Sequence, residues 1–305
     1  MKTITLGTSN LEVPVIGLGC MRMKDLSAKE AEYVIQNAMD HGINFFDHAD
    51  IYGNGESEAI FSEAVNLSSS VREQMTIQSK CGIREGSFDF SKDHIIKSVE
   101  GSLERLKTEY IDVLLLHRPD TLVEPEEVAE AFNELKNSGK VKHFGVSNHN
   151  PMQIELLNKH LEQDLIINQL QFSIMHTNMI DAGLNVNMQN NPAIVRDSSI
   201  LDYSRLNDMT IQAWSPFQYG MMEGVFVGNE KFPELNTKMK KLADKYDVTD
   251  SAIAVAWILR HPANIQPIVG TMNTERLTGI AKATDIVLTR EEWYEIYLAA
   301  GNELP

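Results

Sequence analysis

Asp47, Tyr52, Lys80 and His117 are the side chains in this sequence best suited to chemistry. Each lies at or just past the C-terminal end of a short apolar segment that reads as a β-strand. Those segments are Ile43–Phe46, Thr76–Ser79 and Ile111–Leu116. A carboxylate, a phenol, an ammonium and an imidazole gathered in one pocket can move a proton. In a (β/α)8 barrel the chemistry sits at that end of the strands, so the four would converge on one mouth.

Other strand candidates end in polar groups as well. Ser147 and Asn148 follow the fifth, Gln169 and Gln171 lie at the sixth, and Trp214 and Ser215 follow the seventh. Gly270 and Thr271 follow the eighth. Amides, a hydroxyl and an aromatic face together can hold a flat polar heterocycle. Taken singly, Trp214 reads first as a core aromatic, and its polar neighbours at adjoining strand ends add weight to the ligand reading. Thr271 and Arg276 stand at a predicted helix N-terminus, which favours anions, although a lone helix arginine is commonly just solvated. Gly17-Leu-Gly19-Cys-Met-Arg22 nearly matches a dinucleotide fingerprint. It lacks the third glycine and the acidic residue after a following strand, so a Rossmann reading is rejected. Asp47, His48, Asp50 and His117 also invite a metal reading. Lys80 at the neighbouring strand end would repel the cation, and no metal is expected.

The elements that must position these groups form a repeat. Thr3–Leu6 and Leu11–Val13 bracket Gly7–Asn10 as a small hairpin. The predicted strands are Val15–Gly19, Ile43–Phe46, Thr76–Ser79, Ile111–Leu116, His143–Val146, Ile166–Leu170, Thr210–Ala213 and Gln266–Val269. Between them fall predicted helices at Ser27–His41, from Ser57, Ser91–Leu106, Pro125–Asn137, Pro151–His160, from Asp197, and Thr274–Lys282. Ser27 with Glu30 and Thr289 with Glu292 carry the capping-box spacing, the latter opening an extra C-terminal helix at Thr289–Ala300. Two connections, Gln171–Arg196 and Phe217–Pro233, exceed ordinary loop length. They read either as walls shaping ligand access or as partly helical packing. The expectation is one α/β domain over 1–305: a (β/α)8 TIM barrel with an N-terminal β-hairpin and an extra C-terminal helix.

At 305 residues the chain has the length of such a barrel. Hydrophobic residues make up 43% and charged residues 23%, as in ordinary globular proteins. The net charge of −16 argues against non-specific binding to nucleic acid or anionic membrane. Two cysteines, Cys20 and Cys81, fit a reducing compartment. No leader or membrane-length apolar run is evident, so the expected place is the cytoplasm. The chain is expected to act as a monomer or small homo-oligomer on a small molecule.

Gly42-Ile-Asn44-Phe-Phe46-Asp47-His-Ala49-Asp50-Ile-Tyr52-Gly53, continued by Glu56-Ser57-Glu58, resembles the first signature of the aldo-keto reductase superfamily. Ser79-Lys80, Leu114–His117, Gly145-Val146-Ser147-Asn148 and Gly270–Leu277 fall at its later landmarks, in order. The resemblance implies a barrel that binds extended NADPH, with NADH as an alternative, and reduces a carbonyl substrate. By resemblance Tyr52 is the general acid, Lys80 the cation beside it, Asp47 that lysine's partner and His117 the group that orients the carbonyl. A nearby ammonium is expected to lower the phenol pKa. Ser147, Asn148 and Gln169 match the carboxamide site, and Trp214 the ring that stacks on nicotinamide. Ser215, Pro216 and Phe217 match the cover of the pyrophosphate, and Met21, Gly270, Thr271 and Arg276 are further cofactor positions. Cys20, His48 and Arg118 are expected to line the substrate pocket. The sequence departs from the family at His48, which replaces a small residue. It departs again at Gly270, where many members carry a lysine for the 2′-phosphate, and at Gly279-Ile280, which replaces an adenine-binding pair. Two other classes of function compete with catalysis: a redox-sensing regulatory subunit and a metal-dependent hydrolase.

Overall fold

A computed structural model describes residues 1–65 and 69–305. Eight parallel strands close into a barrel: β1 (Gly17–Gly19), β2 (Phe45–Asp47), β3 (Thr76–Cys81), β4 (Ile111–Leu116), β5 (Val141–Ser147), β6 (Leu165–Gln171), β7 (Thr210–Trp214) and β8 (Ile265–Val269). Each strand pairs with its neighbours in chain order, and β8 pairs with β1 to close the ring. A parallel strand needs a crossover to reach the next, and helices supply it. Packed on both faces, the strands read as nearly continuous buried runs.

The helices obey local rules visible in the sequence. Ser27 and Thr289 both close the reciprocal capping box, opening helices Ala28–Asp40 and Arg290–Ala299. Pro125 begins helix Pro125–Asn137, where its missing N–H costs nothing. A wide shell of apolar residues fills the space between barrel and helices, with Trp257 and Trp293 stacked 4.6 Å apart beneath the C-terminal helix.

A separate apolar cluster closes the barrel's N-terminal end. The hairpin Thr3–Thr5 with Glu12–Pro14 brings Leu6 and Val13 against Phe45, Val113, Leu115, Ile167 and Ile268. Gly7 N–H donates to Thr210 Oγ1 at 2.8 Å, which ties the hairpin to the start of β7. That end of the barrel interior is plugged, which leaves the C-terminal ends of the strands as its open mouth.

The two long connections hold structure that the sequence reading left open. Residues 171–199 contain helix Asn178–Leu184 and a single turn at Asn191–Ala193, and the next helix spans Ile200–Leu206 rather than starting at Asp197. Residues 217–233 contain a two-stranded hairpin, Gln218–Tyr219 with Gly224–Val225. Two unanticipated helices, Pro233–Tyr246 and Asp250–Leu259, lie between β7 and β8. The first is tied to the C-terminal helix by Lys238–Glu295 and Lys245–Glu292 ion pairs. Among the described residues no helix is long and apolar enough to cross a membrane.

Candidate active site

The C-terminal ends of the strands surround one cavity of about 880 Å³. Asp47 is the last residue of β2, and Lys80 is the last but one of β3. His117 follows β4 directly. Tyr52 comes from the turn after β2. That turn passes through left-handed backbone at Gly53 (φ 61°), Asn54 (φ 53°) and Gly55 (φ 94°), conformations that glycine and asparagine tolerate best. A side chain at Gly55 would also meet Arg105 Cδ at 2.5 Å.

These four side chains form one connected group. Lys80 Nζ donates to Asp47 Oδ1 at 2.7 Å, to the His48 carbonyl at 2.7 Å and to Tyr52 Oη at 3.1 Å. Its three protons are thus all engaged. The Tyr52 oxygen accepts from the ammonium, and its own hydrogen has no acceptor among the described residues. The His117 and Tyr52 rings meet edge to face, with centroids 6.0 Å apart.

The charges follow from burial and these partners. Burial alone would lower the Lys80 pKa; the Asp47 carboxylate and the Tyr52 oxygen beside it together more than offset this and raise it, so the ammonium stays charged. Burial pushes the Tyr52 phenol above its ordinary value, and Lys80 restrains the rise without reversing it. The expected net lowering of that pKa is therefore corrected: desolvation of the phenolate outweighs the ammonium, and the phenol holds its proton at neutral pH. Burial, then Lys80 and Arg118, push His117 well below its ordinary value, so the imidazole is neutral. Its Nδ1 is buried without a partner. An orphaned N–H costs more than an orphaned lone pair, which assigns the proton to Nε2.

Below this group lies a feature that sequence reasoning missed. Gln78, Gln169, Gln212 and Gln266 are all buried in the barrel interior. Branched apolar residues usually fill that space. Gln266 Nε2 donates to the Pro14 carbonyl at 2.7 Å, and Gln212 Nε2 donates to Gln266 Oε1 at 2.9 Å. Gln212 Oε1 accepts from Gln78 at 2.8 Å and from Gln169 at 3.0 Å. Both of those amides also donate to Asp47 Oδ1, at 2.6 and 3.1 Å. A backbone carbonyl can only accept, so it orients the whole chain with donors facing Asp47. The signal was a polar residue at an inward position of strands that are otherwise apolar.

The remaining predicted positions sort cleanly. Ser147, Asn148, Gln169 and Trp214 line the cavity together. Trp214 Nε1 donates to Asn148 Oδ1 at 3.1 Å, and Asn148 Nδ2 donates to Ser147 Oγ at 2.8 Å. Asn148 (φ 60°) and Ser215 (φ 52°) hold left-handed backbone just past β5 and β7, a strain common at ligand sites. Met21, Arg118, Ser215, Pro216 and Phe217 also line the cavity, as do Gly270, Thr271 and Arg276. Lys80 lies behind the wall and acts through its hydrogen bonds.

Cys20 and His48, expected among the pocket walls, do not line the cavity. Alternation along β2 turns Asp47 inward and His48 outward, where its ring packs edge-on to Phe61 at 4.7 Å. Burial there lowers the His48 pKa to about 3. Cys20 is fully buried, with Sγ directed at the Leu18 carbonyl at 3.6 Å, and burial raises both cysteine thiols well above the ordinary value. Arg22, Met221, Met222 and Ser251 line the cavity without having been singled out. No group of three His, Cys, Asp or Glu side chains that could hold a metal occurs among the described residues.

The barrel fold agrees with the comparisons to known proteins. The family model described as the aldo/keto reductase family matches residues 15–299. The chain belongs to the aldo/keto reductase family, a family of oxidoreductases. It is 37% identical to an uncharacterised oxidoreductase, YcsN, of Bacillus subtilis, over 94% of each chain. It is 33% identical to a 6-dehydroglucose reductase of Agrobacterium fabrum over the full length of both. Among solved structures, a thermostable aldo-keto reductase in complex with the inhibitor epalrestat superimposes with a TM-score of 0.79 at 25% identity, over 98% of this chain and all of that one.

Proposed function

We propose that this protein reduces aldehyde or ketone carbonyls to alcohols with NADPH, and that Tyr52 donates the proton. One observation carries the reading: Lys80 is paired with Asp47 at 2.7 Å and donates to Tyr52 Oη at 3.1 Å. The lysine fixes the phenol's oxygen and leaves its hydrogen facing the cavity. A carbonyl oxygen placed there accepts that hydrogen, and His117 Nε2–H is the second donor to the same oxygen. As the carbonyl becomes an alcohol, negative charge on its oxygen is taken up by the phenolic proton. The ammonium stabilises the phenolate left behind.

The cavity's chemistry fits a nicotinamide dinucleotide, whose contribution when bound is a hydride for the carbonyl carbon. Gln169 Oε1 accepts no hydrogen bond among the described residues, so an amide acceptor is open toward a carboxamide. Trp214 offers an aromatic face beside it. Arg22 and Arg276 line the β1–β8 side, and Arg22 Nη1 donates to the Gly270 carbonyl at 3.2 Å. A Cβ at Gly270 would meet nothing within 4 Å, so the space a lysine side chain would take there is open, with the Arg22 guanidinium on the same backbone carbonyl. Two arginines there suit a 2′-phosphate, which favours NADPH over NADH.

A metal-dependent hydrolysis has little support, because the Asp47 oxygen that would bind the ion already holds an ammonium and two amides. The test is NADPH oxidation, followed at its absorbance band, over a panel of aldehydes, ketones, dicarbonyls and sugars. Turnover of several members supports the reading. Tight NADPH binding with no turnover of any would point instead to a cofactor-sensing role.

A further inference from the structure

Arg118 follows His117 at the end of β4 and lines the same cavity. It is half-buried, yet its side chain makes no hydrogen bond or ion pair with any described residue. Its guanidinium lies 5.9 Å from the Trp214 ring centroid, at the outer limit of a cation–π contact. Several other buried or partly buried cations have partners: Lys80 pairs with Asp47, Arg72 with Asp112 and Arg105 with Glu58, and Arg260 donates to the Leu288 carbonyl. Asp47 is the sole acidic side chain lining the cavity among the described residues, and Lys80 already holds it. Burial lowers the Arg118 pKa, with no carboxylate to offset the cost. A partly desolvated guanidinium with five free donors is a site waiting for an anion.

The dinucleotide's phosphates do not account for it. Arg22 and Arg276 gather on the β8–β1 side of the ring, and β4 lies three strands beyond β1. Arg118 instead adjoins His117, on the side where the carbonyl substrate must sit.

We propose that Arg118 determines specificity by binding an anionic group on the substrate, so that the preferred substrates are aldehydes or ketones carrying a carboxylate a few bonds from the carbonyl. The inference rests on the carbonyl-reductase reading above. The reaction balances as hydride to the carbonyl carbon and the Tyr52 proton to its oxygen, with the remote carboxylate unchanged. A fork of two N–H groups meets a carboxylate in bidentate geometry, a match that lysine cannot reproduce.

The experiment compares succinic semialdehyde with its methyl ester and with butanal, by steady-state NADPH oxidation at fixed ionic strength. In the native protein kcat/KM for the acid should exceed that for the ester by roughly 10- to 150-fold, the range of one to two charge-assisted hydrogen bonds. Arg118→Met should collapse that ratio, mainly through the KM of the acid, since a remote contact is made alike in ground and transition states. Arg118→Lys should restore part of it by keeping the charge. Rising salt should narrow the native ratio. If acid and ester are reduced with equal efficiency, or the ratio survives in Arg118→Met, the anion assignment is overturned while the reductase reading stands. If none of the three compounds oxidises NADPH while other carbonyls of the panel do, the anion assignment alone falls; if no member of the panel is turned over although the cofactor binds, both fall together.

Discussion

The floor and the rim of this cavity are built on opposite plans. At the floor, Asp47, Lys80 and the four glutamines bond to one another, and the chain ends on a backbone carbonyl at the plugged end of the barrel. At the rim, Arg118 and Arg276 carry guanidinium groups without protein partners among the described residues, and Arg22 meets one carbonyl. A saturated network resists rearrangement and holds the Tyr52 hydroxyl, the proposed proton donor, in register. Unsaturated cations are held ready for a charged ligand. The division predicts that floor substitutions damage both stability and turnover, whereas rim substitutions change ligand preference and leave stability alone.

Lys80→Met should have the largest effect of this kind. It leaves the Asp47 carboxylate at 4% side-chain exposure without its counter-ion. Stability should drop by about 3–5 kcal/mol in denaturant melts. Turnover should also fall, and the alkaline limb of its pH profile should move upward, because the ammonium no longer restrains the phenol's pKa. An unshifted melt with a normal rate would place Lys80 outside the site.

Arg276→Ala probes the other plan. NADPH affinity should weaken by roughly 10- to 150-fold in a fluorescence titration, on the energy scale of charge-assisted hydrogen bonds. NADH affinity should hardly move, and stability should stay within about 0.5 kcal/mol. Equal loss for both cofactors would mean that Arg276 supports the adenosine or the fold.

The smallest expected effect at neutral pH lies behind the wall, at His48. Its pKa is about 3 in the folded protein against an ordinary 6.5. Between those values the unfolded chain takes up a proton that the folded chain refuses. Stability therefore falls as pH drops through that window, by up to about 1.4 kcal/mol per pH unit. His149, lowered to about 4, acts in the same direction. Asp50, raised by burial to about 6, acts in the opposite one, since the folded protein binds its proton first. Replacing His48 with Leu should flatten the acid slope by about one proton. Both ring nitrogens of His48 are buried without partners, so stability at neutral pH should hold or rise. An unchanged slope between pH 6 and pH 4 would mean that the imidazole is hydrated in the native state.

The barrel was legible because its strands are short apolar runs set between amphipathic helices with proper caps. Helix Pro125–Asn137 keeps the bounds expected from its opening proline and its closing Ser138-Gly139. What stayed hidden had weak local signals. Helix Asn178–Leu184 is seven residues long, and its N-cap residue makes no side-chain capping bond. Helix Asp250–Leu259 is buried on nearly every side, and an apolar run without periodicity reads equally as a strand. The hairpin at Gln218–Val225 has strands of two residues, too short for alternation to show. The polar strand ends named the cavity's walls well, because the fold sends them to one mouth. Proximity in sequence misled at His48, since its neighbour Asp47 faces the other way. The glutamines were each visible as a polar residue in an apolar strand, but their connection was not, since it depends on which residues four separate strands bring to one level.

Tyr52→Phe tests the central claim most directly. The change keeps the ring, removes the proton donor and leaves the dinucleotide site untouched. Turnover of a reducible aldehyde should fall by about 10²- to 10⁴-fold, while NADPH titrates as it does in the native protein. Retention of more than about a tenth of the native turnover, with NADPH binding intact, would contradict the assignment of Tyr52 as the proton donor.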